Sequence, residues 1–170
     1  MFVSGALFGD GAAAVLLHNS SEASRDNSSV PRIRTVGEWC WRNTEHIMGW
    51  DIKDDGFGVV LSPQLPSFMQ TELAPAVQQF MDSHGFRHEQ FNGFLLHPGG
   101  RKLLETAQDV LGIERTALAH SWEVLREFGN MSSATALFVL KRALRTGAHG
   151  PHLLTAFGPG FSAYFIVADL

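Results

Sequence analysis

Apolar residues fall in short blocks separated by glycine, proline and polar clusters, and the blocks switch between the strand and helix periods. After the turn signal Gly9-Asp10-Gly11, the run Ala12-Ala13-Ala14-Val15-Leu16-Leu17 suits a short buried strand. Residues 19–29 are polar and serine-rich and read as an exposed loop. Ile33, Val36, Trp39 and Trp41 alternate enough to predict a strand over 31–41, and a second strand follows at 56–61, ended by Pro63 and Pro66. Leu73, Val77, Phe80 and Met81 recur at helical spacing, which predicts a helix over 67–83 closed by Gly85. Residues 91–96 are strand-like and end at His97-Pro98-Gly99-Gly100. Helices over 101–111 and 122–128 come next, stopped by Gly112 and Gly129. The helix predicted over 132–144 is apolar almost all round at its start, the mark of an element buried on every side. Residues 153–157 and 162–167 flank the turn Gly158-Pro159-Gly160 as a strand pair. Strands alternating with helices predict an α/β protein with a mixed sheet.

Composition narrows the picture. At 170 residues the chain has the length of one ordinary domain. Its 45% hydrophobic and 18% charged residues are globular values, which excludes disorder over most of its length. A net charge of −4 argues against a nucleic-acid partner held through phosphates. Asp10 and the lack of a basic lead-in argue against a signal peptide in residues 1–17, and no block reaches the length of a membrane span. The reading is a soluble, cytoplasmic protein. A lone cysteine, Cys40, excludes a disulfide framework and a Cys-rich zinc site. Cys40 lies between Trp39 and Trp41 in a predicted strand, without a helix N-terminus or cation beside it, and reads as a buried, inert thiol. His84, His88, His149 and His152 lack the company a metal site needs and read as solvated loop residues. Residues 2–8 begin at once in core-like sequence, as if the chain were cut from something longer.

Three glycine-bounded motifs end apolar blocks, where α/β folds place their sites. They are Leu7-Phe8-Gly9-Asp10-Gly11, His97-Pro98-Gly99-Gly100 and Gly129-Asn130-Met131-Ser132-Ser133, with Phe157-Gly158-Pro159-Gly160 completing the set. In order and spacing they resemble the C-terminal half of a type III polyketide synthase, the chalcone/stilbene synthase family of the thiolase superfamily. The segment Met48-Gly49-Trp50-Asp51 is similar to bacterial members more than plant ones. The resemblance covers residues 1–170 and implies half of a doubled αβαβα fold, a mixed sheet with helices packed on both faces.

It also implies the chemistry. His97 and Asn130 match the catalytic histidine and asparagine, neutral donors that stabilise the enolate formed when a malonyl thioester loses CO₂. The histidine also holds a cysteine thiolate ionised in the family. Phe8 and Trp50 match aromatic gatekeepers between the CoA tunnel and the cavity, Ser132 a serine behind the catalytic centre, and Gly158 and Pro159 a cavity-shaping turn. Arg101 and Lys102 open a helix against its macrodipole, either to meet a CoA phosphate at the tunnel mouth or as ordinary solvated side chains. Malonyl-CoA and an acyl-CoA starter are the implied substrates, with no separate cofactor, no metal and no membrane or nucleic-acid partner. The nucleophilic cysteine belongs to an N-terminal half that these residues do not contain. The chain is therefore expected to be inactive by itself, and to pair with its own N-terminal half or dimerise to cover the apolar helix. A non-catalytic thiolase-fold partner subunit and a ketoacyl synthase III-like fatty-acid enzyme are the alternatives.

Overall fold

The computed structural model describes residues 2–19 and 30–170. The serine-rich loop expected over 19–29 lies almost wholly outside the described residues. Element order is α1 (Phe2–Leu7), β1 (Arg32–Cys40), β2 (Met48–Lys53), β3 (Gly56–Leu61), α2 (Leu65–Ser83), β4 (Gly93–Leu96), α3 (Arg101–Leu111), α4 (Ala119–Phe128), α5 (Ala134–Arg145), β5 (Pro151–Gly158) and β6 (Ser162–Asp169). Four strands form one sheet in the order β1-β6-β5-β4. β4 and β5 run parallel, and β6 is antiparallel to both β5 and β1, so the sheet is mixed as predicted.

Alternation along the strands feeds two cores. Phe94 and Leu96 of β4, with Phe165 and Val167 of β6, face α2 and α3 in the larger one, where Leu73, Val77 and Leu104 are buried. Leu95 points the other way and packs with Val124 of α4 and Val139 and Ala143 of α5. Helices thus cover both faces of the sheet. α3 ends where the sequence predicts, at Gly112 with φ +62°. Pro66 sits in the first turn of α2, where its missing N–H costs nothing, so the helix starts two residues earlier than predicted. No helix of the described residues is long and apolar enough to cross a membrane.

Several expectations are corrected. Residues 12–17 form no strand, and Val15, Leu16 and Leu17 are exposed. A strand needs a neighbour to take its N–H and C=O groups, and none of the described residues pairs with this run. Cys40 is exposed, because it ends β1 on the face opposite Trp39. His152 is buried in β5, its ring hydrogen-bonded through Nδ1 to Gly150 O at 3.0 Å. His88 is half-buried against Phe94. α5 is fully buried only at Thr135, Val139 and Ala143, and Leu144 is exposed. Residues 48–53 add a strand, β2, that the sequence pattern does not predict. It pairs with β3 as a separate two-stranded ribbon, with Trp50 opposite Val59.

Candidate active site

The three motifs meet through main-chain bonds. β4 stops at Leu96, and His97 extends the ladder by donating its N–H to Thr155 O at 2.7 Å. Pro98 has no N–H to continue the ladder, so the chain turns into α3. Asn130 is gripped on both sides by the N-terminal segment. Its N–H donates to Leu7 O at 2.9 Å, and its C=O accepts from Gly9 N–H at 3.0 Å. This approach leaves no space for side chains. A Cβ on Gly9 would lie 2.2 Å from Phe128 O, and one on Gly129 would lie 2.7 Å from Leu7 O. The glycines of the first and third motifs are therefore one packing device, and Gly129 also holds a positive φ of +71°.

The Asn130 amide is orientated by its neighbours. Oδ1 accepts from Ser132 N–H at 2.8 Å, and Nδ2 donates to Gly99 O at 3.2 Å. That assigns the flip and leaves the second amide proton free to donate elsewhere. Gly99 N–H in turn donates to His97 O at 3.0 Å, so the His97 turn and Asn130 are coupled through one residue. Ser132 holds φ +57°, a backbone conformation that favours glycine and that marks functional turns.

Both side chains open on a cavity of about 400 Å³. Phe8, Trp50, Ser132, Gly158 and Pro159 also line it, so the sequence-predicted gatekeepers, serine and turn are brought together. Arg101 and Lys102 do not line it, and Arg101 is committed to Glu105 through Nε at 2.7 Å. Sequence reasoning missed Met48, Val59, Leu61 and Tyr164, which line it as well. The two-residue spacing of Met48 with Trp50, and of Val59 with Leu61, is a strand signal that could have found them. The wall is apolar apart from His97, Asn130, Ser132, Ser133 and Tyr164. Among the described lining residues there is no carboxylate, lysine, arginine or cysteine, and Cys40 is absent from the wall. No group of three His, Cys, Asp or Glu among the described residues is placed to hold a metal ion.

Burial pushes His97 from 6.5 down to about 4, so its imidazole is neutral at pH 7. The unfolded chain takes up the proton first as pH falls, so stability present above pH 6.5 is lost on the way to pH 4. The gap corresponds to about 3 kcal/mol. Urea unfolding of this chain should show a loss of about 2–3 kcal/mol from pH 7 to pH 4.5 in excess of that of His97→Gln.

A second group holds the histidine in place. Ser121 of α4 is fully buried, and its Oγ donates to Leu96 O at 2.7 Å and accepts from Leu96 N–H at 3.2 Å. It thereby satisfies the outer edge of β4 one residue before His97. Ser121→Ala would leave both groups buried without partners, at a cost of about 2 kcal/mol, and should lower Tm by about 4–8 °C in a thermal melt.

A family model, that of the C-terminal domain of chalcone and stilbene synthases, matches residues 38–168. The chain belongs to this family. A putative chalcone synthase of Bacillus subtilis is 36% identical over 95% of the chain and 46% of its own length. A 1,3,6,8-tetrahydroxynaphthalene synthase of Streptomyces peucetius is likewise 36% identical, over 97% of the chain and 44% of its own length. Among solved structures, a polyketide synthase of the brown alga Ectocarpus siliculosus superposes with a TM-score of 0.78 at 30% identity, over 88% of this chain and 42% of that one. The tetrahydroxynaphthalene synthase of Streptomyces coelicolor, a bacterial type III polyketide synthase, gives 0.76 at 29% identity, over 82% and 40%. The chain thus has the thiolase-like α/β architecture expected of it. It spans less than half the length of the curated relatives it matches here.

Proposed function

We propose that this chain is the C-terminal part of an acyltransferase that makes a polyketide by decarboxylative condensation of malonyl-CoA onto a CoA-linked starter. The observation that carries the reading is the pairing of a neutral imidazole and a fixed amide on one apolar, charge-free cavity. Decarboxylation breaks the bond to the malonyl carboxylate, releases CO₂ and leaves the electron pair as a thioester enolate. His97 and Asn130 donate to its oxygen, and neither delivers an acidic proton that would quench it. The carbanion then attacks an acyl thioester and expels the thiolate. The described cavity wall offers no cysteine thiol to carry that acyl group. The reading therefore assigns it to a cysteine in an N-terminal half, whose thiolate His97 would hold ionised.

Phe8, Trp50, Ser132, Gly158 and Pro159 shape the cavity in this reading, and the enzyme works in the cytoplasm without a separate cofactor. Pairing with the N-terminal half, or with a second copy, covers Val15, Leu16 and Leu17. The test is an assay with malonyl-CoA and acyl-CoA starters. The chain joined to its cysteine-bearing half should release CO₂ and form a polyketide, whereas the chain by itself should form none. Condensation by the isolated chain would overturn the assignment of the nucleophile. A joined protein that consumes no malonyl-CoA would overturn the activity.

A further inference from the structure

The turn joining β5 to β6 supplies Gly158, Pro159 and Phe161 to the cavity wall. Inside this hairpin Ser162 Oγ donates to Pro159 O at 2.9 Å and lies 3.3 Å from Tyr164 OH. Four further ties join the turn to residues 41–48. Trp41 N–H donates to Phe161 O at 3.0 Å, and Gly160 N–H donates to Met48 O at 3.0 Å. Phe161 N–H donates to Thr44 Oγ1. The Thr44 hydroxyl proton faces two carbonyls, Gly160 O at 2.6 Å and Trp41 O at 2.7 Å. One buried hydroxyl therefore accepts from the turn and donates either to it or to the segment that anchors it.

The placement of Thr44 is itself built. Asn43 before it holds φ +61°, a conformation disfavoured for residues with a Cβ and tolerated best by asparagine. Four residues later the chain enters β2, whose Met48, Gly49 and Trp50 form another wall of the cavity. Thr44 thus ties two walls together while standing outside the lining itself.

We propose that Thr44 is a positioning residue that fixes cavity depth and so limits how many extender units the growing chain takes. This role rests on the polyketide-forming reading of the site. Thr44→Val keeps the shape and removes the hydroxyl, leaving the bonds from Trp41 and to Met48 in place, so the turn loosens without detaching. Thr44→Ser keeps the hydroxyl and serves as the rescue.

The test has two arms. In this chain, amide hydrogen exchange at Phe161 should be at least tenfold faster in Thr44→Val and within threefold of the parent in Thr44→Ser. In the protein joined to its cysteine-bearing half, Thr44→Val should raise the share of products with a different extension number at least tenfold. The KM for malonyl-CoA should stay within threefold, because His97 and Asn130 are untouched, and Thr44→Ser should give the parent products. Should Thr44→Val not fold, as a melt would show, Thr44→Ala is read the same way. Unchanged exchange overturns the tie, and faster exchange with unchanged products overturns the control of length. A parent protein that forms no polyketide overturns the functional reading and the length assignment together, while exchange still decides the tie.

Discussion

Replacing Asn130 with alanine in the protein joined to its cysteine-bearing half is expected to slow malonyl-CoA condensation about 10²–10³-fold, the usual cost of one oxyanion-hole donor. The amide is aimed before substrate arrives. Oδ1 takes Ser132 N–H and one Nδ2 proton takes Gly99 O, so the remaining proton has a fixed direction. Asn130→Asp separates this donor role from a packing role. An aspartate keeps the acceptor for Ser132 N–H and nearly the same shape, yet it sets an oxygen against Gly99 O and a negative charge where the proposed reaction develops an enolate. It should be at least as slow as the alanine variant. An aspartate variant with near-parental turnover would show that the amide donates nothing to the reaction. Steady-state CO₂ release from malonyl-CoA reads the rate, and a thermal melt of each variant shows whether the fold has been kept.

Gly129→Ala should be among the most damaging single changes to stability. Gly129 holds φ +71° and ψ −158°, a region almost confined to glycine, where a side chain costs about 1–3 kcal/mol. The added Cβ would also sit 2.7 Å from Leu7 O. That oxygen is backbone and already accepts from Asn130 N–H, so it has no room to yield. Overpacking of this kind adds about 1–3 kcal/mol. A total near 4 kcal/mol corresponds to a fall in Tm of about 8–16 °C. Gly112→Ala is the control. Gly112 also has a positive φ, +62°, but a Cβ there meets nothing within 4 Å. It should lose only about 1–2 kcal/mol from the backbone conformation. Equal melting shifts for the two variants would mean that the close approach to Leu7 carries no energy.

Much of the site was legible because its motifs are local. His97 follows an apolar strand and precedes a proline, Asn130 follows a glycine, and both features are visible within a few residues of sequence. The prediction of α/β architecture with a mixed sheet held for the same reason, since β5 and β6 each carry a clear strand pattern around Gly158-Pro159-Gly160. Features that depend on distant partners were not legible. Residues 12–17 have the composition of a strand, but a strand exists only with a neighbour, and composition says nothing of whether one is present. Cys40 looked buried between two tryptophans, yet alternation puts it on the opposite face from both, and β1 ends there. His152 looked like a loop residue beside Pro151, while β5 in fact begins at that proline. Thr44 and Ser121 carry no motif. Their bonds to Phe161 and Leu96 span 117 and 25 positions, so only the folded chain brings each pair together.

The position of β6 sets an order of assembly. It is the last of the described strands in chain order, yet it lies between β1 and β5 and supplies a partner to each. Its pairing with β1 joins Arg32 to Asp169, which lie far apart in the sequence. As the polypeptide is synthesised, β1 has no partner in this sheet until residues 162–169 emerge, and β5 has only β4. The sheet therefore closes only once β6 is present, and its β1–β6 contacts, being of long sequence separation, form slowly. Until then Trp39, Phe157 and the apolar face of α2 have no finished layer to pack against. A chain that stops short of β6 keeps the motif residues His97 and Asn130 in sequence but loses the strand that joins the two sides of the sheet. Among the described strands, β6 is thus the one whose loss splits the four-stranded sheet into β1 and the β4–β5 pair.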